Sequence, residues 1–226
     1  MSVFDAPTAP RPHGMVSLNK GSVSLGKAEV YTLITAWGRK DYDLLALVIY
    51  TDGRMEWVSC FGTTQSGRFT TKTPDGCVVH VSGDQATSDS GGGDQPQEVI
   101  KIFVKPGHKI ARIVPVIYSA QNSGIGSFRM YKVSTYVLKG NFDKLPANPE
   151  NYEGVKVLAR NASWNPFRYT FVPCTIVFGD TGTQIDASHQ QYSKMMSERR
   201  PTWDVRKNKL LMNSGPTNAS KPRPGY

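Results

Sequence analysis

The run Leu44-Leu-Ala-Leu-Val-Ile-Tyr50, then Thr51-Asp52-Gly53-Arg54, then Met55-Glu-Trp-Val-Ser-Cys60 decides the fold class. Seven residues with no polar alternation read as a strand buried on both faces or at the centre of a sandwich. Asp52-Gly53 suits a tight turn in which one residue takes positive φ, so Met55 to Cys60 reads as the returning strand of a hairpin.

The same signals repeat outward from this hairpin. Glu29 to Trp37 is rich in β-branched and aromatic residues. Gly76 to Val81 is a further candidate strand. Glu98 to Val104 alternates, with Ile100 and Ile102 opposite Val99, Lys101 and Phe103. Ile110 to Tyr118 is strongly apolar, and Pro115 within it predicts an edge strand or a bulge. Phe128 to Leu138 reads as one long strand, and Val155 to Arg160 with Tyr169 to Phe178 as a last hairpin. Short strands, Gly/Pro turns and almost no helical periodicity predict an all-β fold, an antiparallel β-sandwich of two sheets.

Composition agrees with a globular chain: 226 residues, 38% hydrophobic and 20% charged. No apolar run approaches the roughly 18 residues of a membrane span, and the N-terminus lacks the basic-then-apolar order of a secretory signal. The expected location is cytoplasmic. Cys60, Cys77 and Cys174 match no zinc spacing and read as small buried hydrophobes. The four histidines have no companion at ligand spacing.

The formal charge of +9 is uneven. From Ala187 onward there are eight Lys/Arg and two Asp/Glu, so the last segment holds most of the excess. Three parts are expected: a Pro-rich arm over 1–14, the sandwich over 15–182, and a basic extension over 183–226. Ser188 to Arg200 predicts a short helix, with Ser188 as N-cap and Pro201 as stop. Arg199, Arg200, Arg206, Lys207 and Lys209 beside Trp203 suit phosphate contact with stacking, hence nucleic acid or another partner. A solvated basic tail is the alternative. The two terminal segments also suit subunit contacts in a homo-oligomer.

The chemistry-bearing stretch is the loop Gly83 to Glu98. Asp84, Asp89, Asp94 and Glu98 alternate with Gly91-Gly92-Gly93. Carboxylates set among glycines suit calcium, which takes about six to eight oxygen ligands in a tolerant geometry. The spacing is not that of an EF-hand, and a solvated acidic loop is the other reading. No catalytic triad context, phosphate loop or dinucleotide loop is present, so an enzyme is the class least supported.

Several pieces, in order, resemble the TerD family of tellurium-resistance and stress-response domains. Val16-Ser-Leu-Asn-Lys-Gly21 and Val23-Ser-Leu25 resemble its opening V-x-L-x-K-G and V-x-L. Tyr42-Asp43-Leu44 with Ala46 resembles F-D-L-D-A. Pro74-Asp75-Gly76 and Val79-His80-Val81-Ser82-Gly83-Asp84 resemble P-D-G and V-H-S-G-D-N. Thr87, the glycines, Asp94 and Glu98-Val-Ile100 resemble the acidic run, and Ile113 to Tyr118 with Gln121, Asn122 and Phe128 a later segment. The resemblance covers about residues 15 to 172. It implies a calcium-binding β-sandwich without known catalysis, acting in stress response, membrane-associated assemblies or phage resistance. A divergent phage-encoded member, hence a structural or assembly protein of a virion, is the alternative it implies.

Carried over by resemblance, the calcium ligands are Asp43, Asp84, Asp94 and Glu98, with Asp89 and Asp41 as local substitutes. The chain departs from the pattern at Leu45, where the family has its second aspartate, and at Gln95-Pro96-Gln97, which separates Asp94 from Glu98. Fewer anionic ligands imply a single weakened site, or one lost to a structural role.

Overall fold

The computed structural model describes residues 14–38, 41–60, 69–84, 95–119, 127–159 and 165–217. Two large sheets face each other. The first takes β1 (Met15–Leu18), β3 (Val30–Ala36), β6 (Val78–His80), β7 (Gln97–Phe103), β9 (Ser134–Lys139) and β10 (Gly154–Leu158), in the order β1-β10-β9-β3-β7-β6. All its pairs are antiparallel except β1 with β10, which is parallel.

The second sheet is built on β4 (Tyr42–Tyr50) and β8 (Ile110–Ser119), paired antiparallel along their length. β4 also pairs with β5 (Met55–Val58). The other edge of β8 carries β11 (Thr170–Val172) and β12 (Thr175–Gly179). β14 (Gln191–Tyr192) extends β11, while β13 (Gly182–Asp186) and β2 (Ser22–Gly26) extend β12. A separate hairpin pairs β15 (Thr202–Asp204) with β16 (Lys209–Leu211).

The hairpin from β4 to β5 forms as its turn residues require. Gly53 has φ 85°, the left-handed conformation that only glycine adopts without strain. Asp52 accepts from the Arg54 backbone N–H and side chain.

All nine residues of β4 are buried. Leu44, Ala46, Val48 and Tyr50 face the core between the sheets, with Leu33, Ile100, Ile102, Ile113 and Ile117. Leu45, Leu47 and Ile49 point the other way. They join Val114, Val116, Tyr118, Phe69, Trp203 and Leu210 in a second apolar layer. The hairpin β15–β16 therefore covers the outer face of the second sheet. Arg200 is fully buried there, its guanidinium 4.2 Å from the Phe69 ring centroid and 5.4 Å from that of Trp57. Arg112 lies over the Trp203 ring at 5.1 Å. A third layer, on the outside of the first sheet, holds Ile34, Ala36, Val99, Tyr136 and Leu138 under Phe142 and Leu145.

Three expectations are corrected, and of the two offered for Pro115 the edge strand is set aside while an irregular register stands. The helix over Ser188 to Arg200 does not form: Gln191 and Tyr192 pair with Val172 and Phe171, and Tyr192 stacks on Phe171 at 4.7 Å. Sheet pairing and ring stacking outweigh a weak helical propensity. The last hairpin is also absent, because β10 pairs in the first sheet and β11 in the second. The long strand from Phe128 shortens to β9, since residues 128–132 turn around the Met130 N–H bond to Ser127 Oγ and the positive φ of Lys132. Pro115 lies inside the sheet, opposite Ala46 on β4. On its other side the register slips by one residue between β11 and β12, so the missing N–H falls where no regular ladder runs.

β13 and β14, beyond the 182/183 boundary expected from composition, pair into the second sheet. Among the described residues no helix is long and apolar enough to cross a membrane. The N-terminal arm lies outside the described residues, apart from Gly14.

Trp203→Ala is expected to destabilise the chain by about 3 kcal/mol, the usual scale for emptying a buried aromatic site. A denaturant midpoint that falls at unchanged slope is the reading that checks it.

Candidate metal centre

The site lies at the end of the sandwich where β3 finishes and β4 and β7 begin. Glu98 pairs with Thr35 across the β3–β7 ladder, and it shares strand phase with Ile100 and Ile102. Alternation along a strand therefore sends its carboxylate inward, between the sheets. It is fully buried. Oε2 accepts from the Leu44 backbone N–H at 2.6 Å, so a side chain of the first sheet ties down the second. The same oxygen lies 3.2 Å from His80 Nε2, with both side chains fully shielded from solvent.

His80 is in phase with Val78, whose side chain is in the core, and so faces inward as well. Its Nδ1 is buried without a hydrogen-bond partner among the described residues. Beyond β6, Ser82 Oγ accepts from the Val99 N–H at 2.9 Å, and Gly83 turns the chain with φ 69°. Asp84 follows and is exposed at the mouth of the site. Asp43, second residue of β4, is fully buried and pairs with Tyr118 on β8. Burial first, then the charges of Glu198 and Asp43, raise the Tyr118 hydroxyl above its ordinary range. Cys60 follows the end of β5 and is half-buried.

These elements gather two overlapping groups. Ligand atoms of Asp43, Cys60, Asp84 and Glu98 all lie within 4.8 Å of one another, and so do those of Cys60, His80 and Glu98. Of the five ligands expected from the sequence, Asp43, Asp84 and Glu98 converge. Asp89 and Asp94 lie outside the described residues. Asp41 is not in either group.

The three carboxylates fit calcium. They are hard oxygen donors, and together they offer six oxygens. The Cys60 sulfur and the His80 nitrogen do not fit calcium; they suit softer cations. Both were missed in the sequence because neither has a ligand at short spacing. Only the sheet register brings them to Glu98.

The basic set divides. Arg200 and Trp203 are buried in the layer over the second sheet, while Arg199, Arg206, Lys207 and Lys209 are exposed. The aromatic platform and one of the cations are thus used in packing.

Neither a protein-family model nor a curated protein matches the chain. Two solved structures are similar to it at 14% identity. One is a protein of unknown function, SAV2460, with a TM-score of 0.49 over 75% of this chain and 91% of that one. The other is a homologue of the telluride resistance protein TerD, SCO6318 from Streptomyces coelicolor A3(2), with a TM-score of 0.46 over 84% of this chain and all of that one. At these scores the functional reading rests on the chain's own residues.

Glu98→Ala leaves the buried Leu44 N–H without its acceptor and is expected to cost about 1–3 kcal/mol. Glu98→Gln keeps an oxygen acceptor and is expected to cost less. Chemical denaturation of the two variants in chelator, side by side, checks the order.

Proposed function

We propose that the protein is a non-enzymatic, TerD-like stress-response module whose acidic end binds calcium through Asp43, Asp84 and Glu98. The observation that carries this reading is the convergence of three carboxylates from three separate elements, with ligand atoms within 4.8 Å of one another. Two of them are fully buried. Burying carboxylates is costly unless they are paired, hydrogen-bonded or on a metal. Glu98 has its hydrogen-bond partners, but carboxylates this close to one another repel, and a cation among them would offset that repulsion. The ordered motif resemblance supports the same assignment.

Binding is expected to be weak. The described ligands are few for an ion that takes about six to eight oxygens, and Leu45 stands where a further carboxylate is expected. A ligand that binds only the folded state stabilises it by mass action. Millimolar calcium is therefore expected to raise the melting temperature where magnesium does not, and Asp84→Asn is expected to abolish the rise. No calcium-specific shift in the wild-type chain would overturn the reading.

The alternative, an assembly protein such as a virion component, has one observation in its favour. Phe167, Met195 and Met196 are exposed apolar side chains, and Met196 N–H bonds to the Phe167 carbonyl at 2.7 Å, so they sit together. Adjacent exposed apolar side chains suit a protein contact. On this reading the chain runs as a defined oligomer in solution, and Met195→Ser with Met196→Ser returns it to monomer by light scattering. A monomeric wild-type chain removes it.

A further inference from the structure

We infer that Cys60, His80 and Glu98 form a second cation centre, selective for a thiolate- and imidazole-binding divalent ion of the zinc class, with Glu98 shared between it and the carboxylate group. This goes beyond the calcium reading and does not depend on it.

The argument starts from distance. Ligand atoms held about 2.0–2.1 Å from a tetrahedral zinc stand about 3.3 Å apart. His80 Nε2 and Glu98 Oε2 are 3.2 Å apart. That separation also serves a hydrogen bond between imidazole and carboxylate, so the pair alone decides nothing. The third group decides it. Cys60 comes from the far end of a different hairpin, yet its sulfur lies within 4.8 Å of both partners' ligand atoms. A thiol, an imidazole and a carboxylate from three elements make a three-ligand set of the kind that binds zinc and leaves a fourth position for water or a further carboxylate.

A second observation is independent of the cluster. The His80 side chain is fully shielded from solvent, and its Nδ1 has no hydrogen-bond partner among the described residues. Buried imidazole nitrogens are ordinarily satisfied. With no hydrogen bond fixing Nδ1, the ring can carry its proton there and leave Nε2, the nitrogen beside Glu98, bare for a cation. Whichever nitrogen coordinates, the imidazole binds in its neutral form and the thiol gives up its proton to solvent.

Chemistry separates this centre from the carboxylate group. Calcium does not take sulfur or imidazole in competition with oxygen, whereas zinc-class ions do. Asp84, exposed at the mouth, serves the harder ion; His80, shielded inside, serves the softer one. Cys77 and Cys174 are buried elsewhere and belong to neither group.

The test uses the full, reduced chain, stripped with chelator and titrated with cobalt(II) as a spectroscopic substitute for zinc. A thiolate-to-cobalt charge-transfer band in the near ultraviolet is expected, saturating at equal molarity of metal and chain and displaced by equimolar zinc but not by equimolar calcium. Cys60→Ser is expected to abolish the band, and His80→Asn to weaken affinity by at least about tenfold. Asp84→Asn and Cys77→Ser are expected to keep it. A second measurement needs no variant: zinc is expected to slow alkylation of Cys60 in the wild-type chain, read by peptide mass, and calcium is not. No band in the wild-type chain, or a band that survives Cys60→Ser, or Cys60 alkylation indifferent to zinc, would overturn the inference. Loss of the calcium-induced thermal shift with the cobalt band intact would overturn the calcium reading alone.

Discussion

The burial of β4 on both faces is the constraint on which the rest of this structure depends. A strand of a two-layer sandwich ordinarily keeps one face for solvent and alternates accordingly. This one has apolar side chains on both sides from Leu44 to Ile49, so it needs two partners. The first sheet supplies one. The other is assembled from the C-terminal hairpin, with Trp203 and Leu210, together with Phe69. The hairpin β15–β16 is thus the layer that covers the outer face of the second sheet. Arg200 packs against the Phe69 and Trp57 rings, where the delocalised guanidinium is more easily desolvated than an ammonium.

At its first residues β4 meets the opposite requirement. The Leu44 N–H and the Asp43 carboxylate are both buried, and neither is satisfied by apolar packing. Glu98 answers the first from across the core. It can do so because its strand phase puts it inward and because Thr35 on β3 and Ser82, just beyond β6, hold β7 in register. One carboxylate therefore stitches the two sheets and at the same time stands at the meeting point of every metal-ligating group described. Fold and candidate function share a residue, which is why the oxygen acceptor and the anionic charge at this position need to be separated experimentally.

Much of this was legible in the residues. The unbroken run at Leu44 gave a doubly buried strand, Asp52-Gly53 gave the hairpin, and alternation after Glu98 set that carboxylate on the same face as Ile100 and Ile102. What was not legible depends on pairing between distant segments. Cys60 and His80 carry no local signal, since their ligand companions arrive only through the registers of β4, β5, β6 and β7. The helix expected after Ser188 rested on cap residues and on Pro201, and it yielded to an open edge on β11 and the Phe171 ring. Charge counting saw a basic tail but could not see that Arg200 and Trp203 have apolar partners in β5 and β8 and the segment before Thr70.

The two groups share Glu98 as well as Cys60, and sharing the carboxylate has a thermodynamic consequence. One carboxylate carries one negative charge, and a cation on either side uses part of it. A second cation arriving on the other side meets a less negative ligand and the repulsion of the first ion at short range, in surroundings shielded from water. Each ion then lowers affinity for the other by the same factor, because coupling between two binding equilibria is reciprocal. Proximity weighs against full occupancy of both groups. On the two proposed assignments the harder ion would use the exposed Asp84, and the softer one Cys60 and the shielded His80.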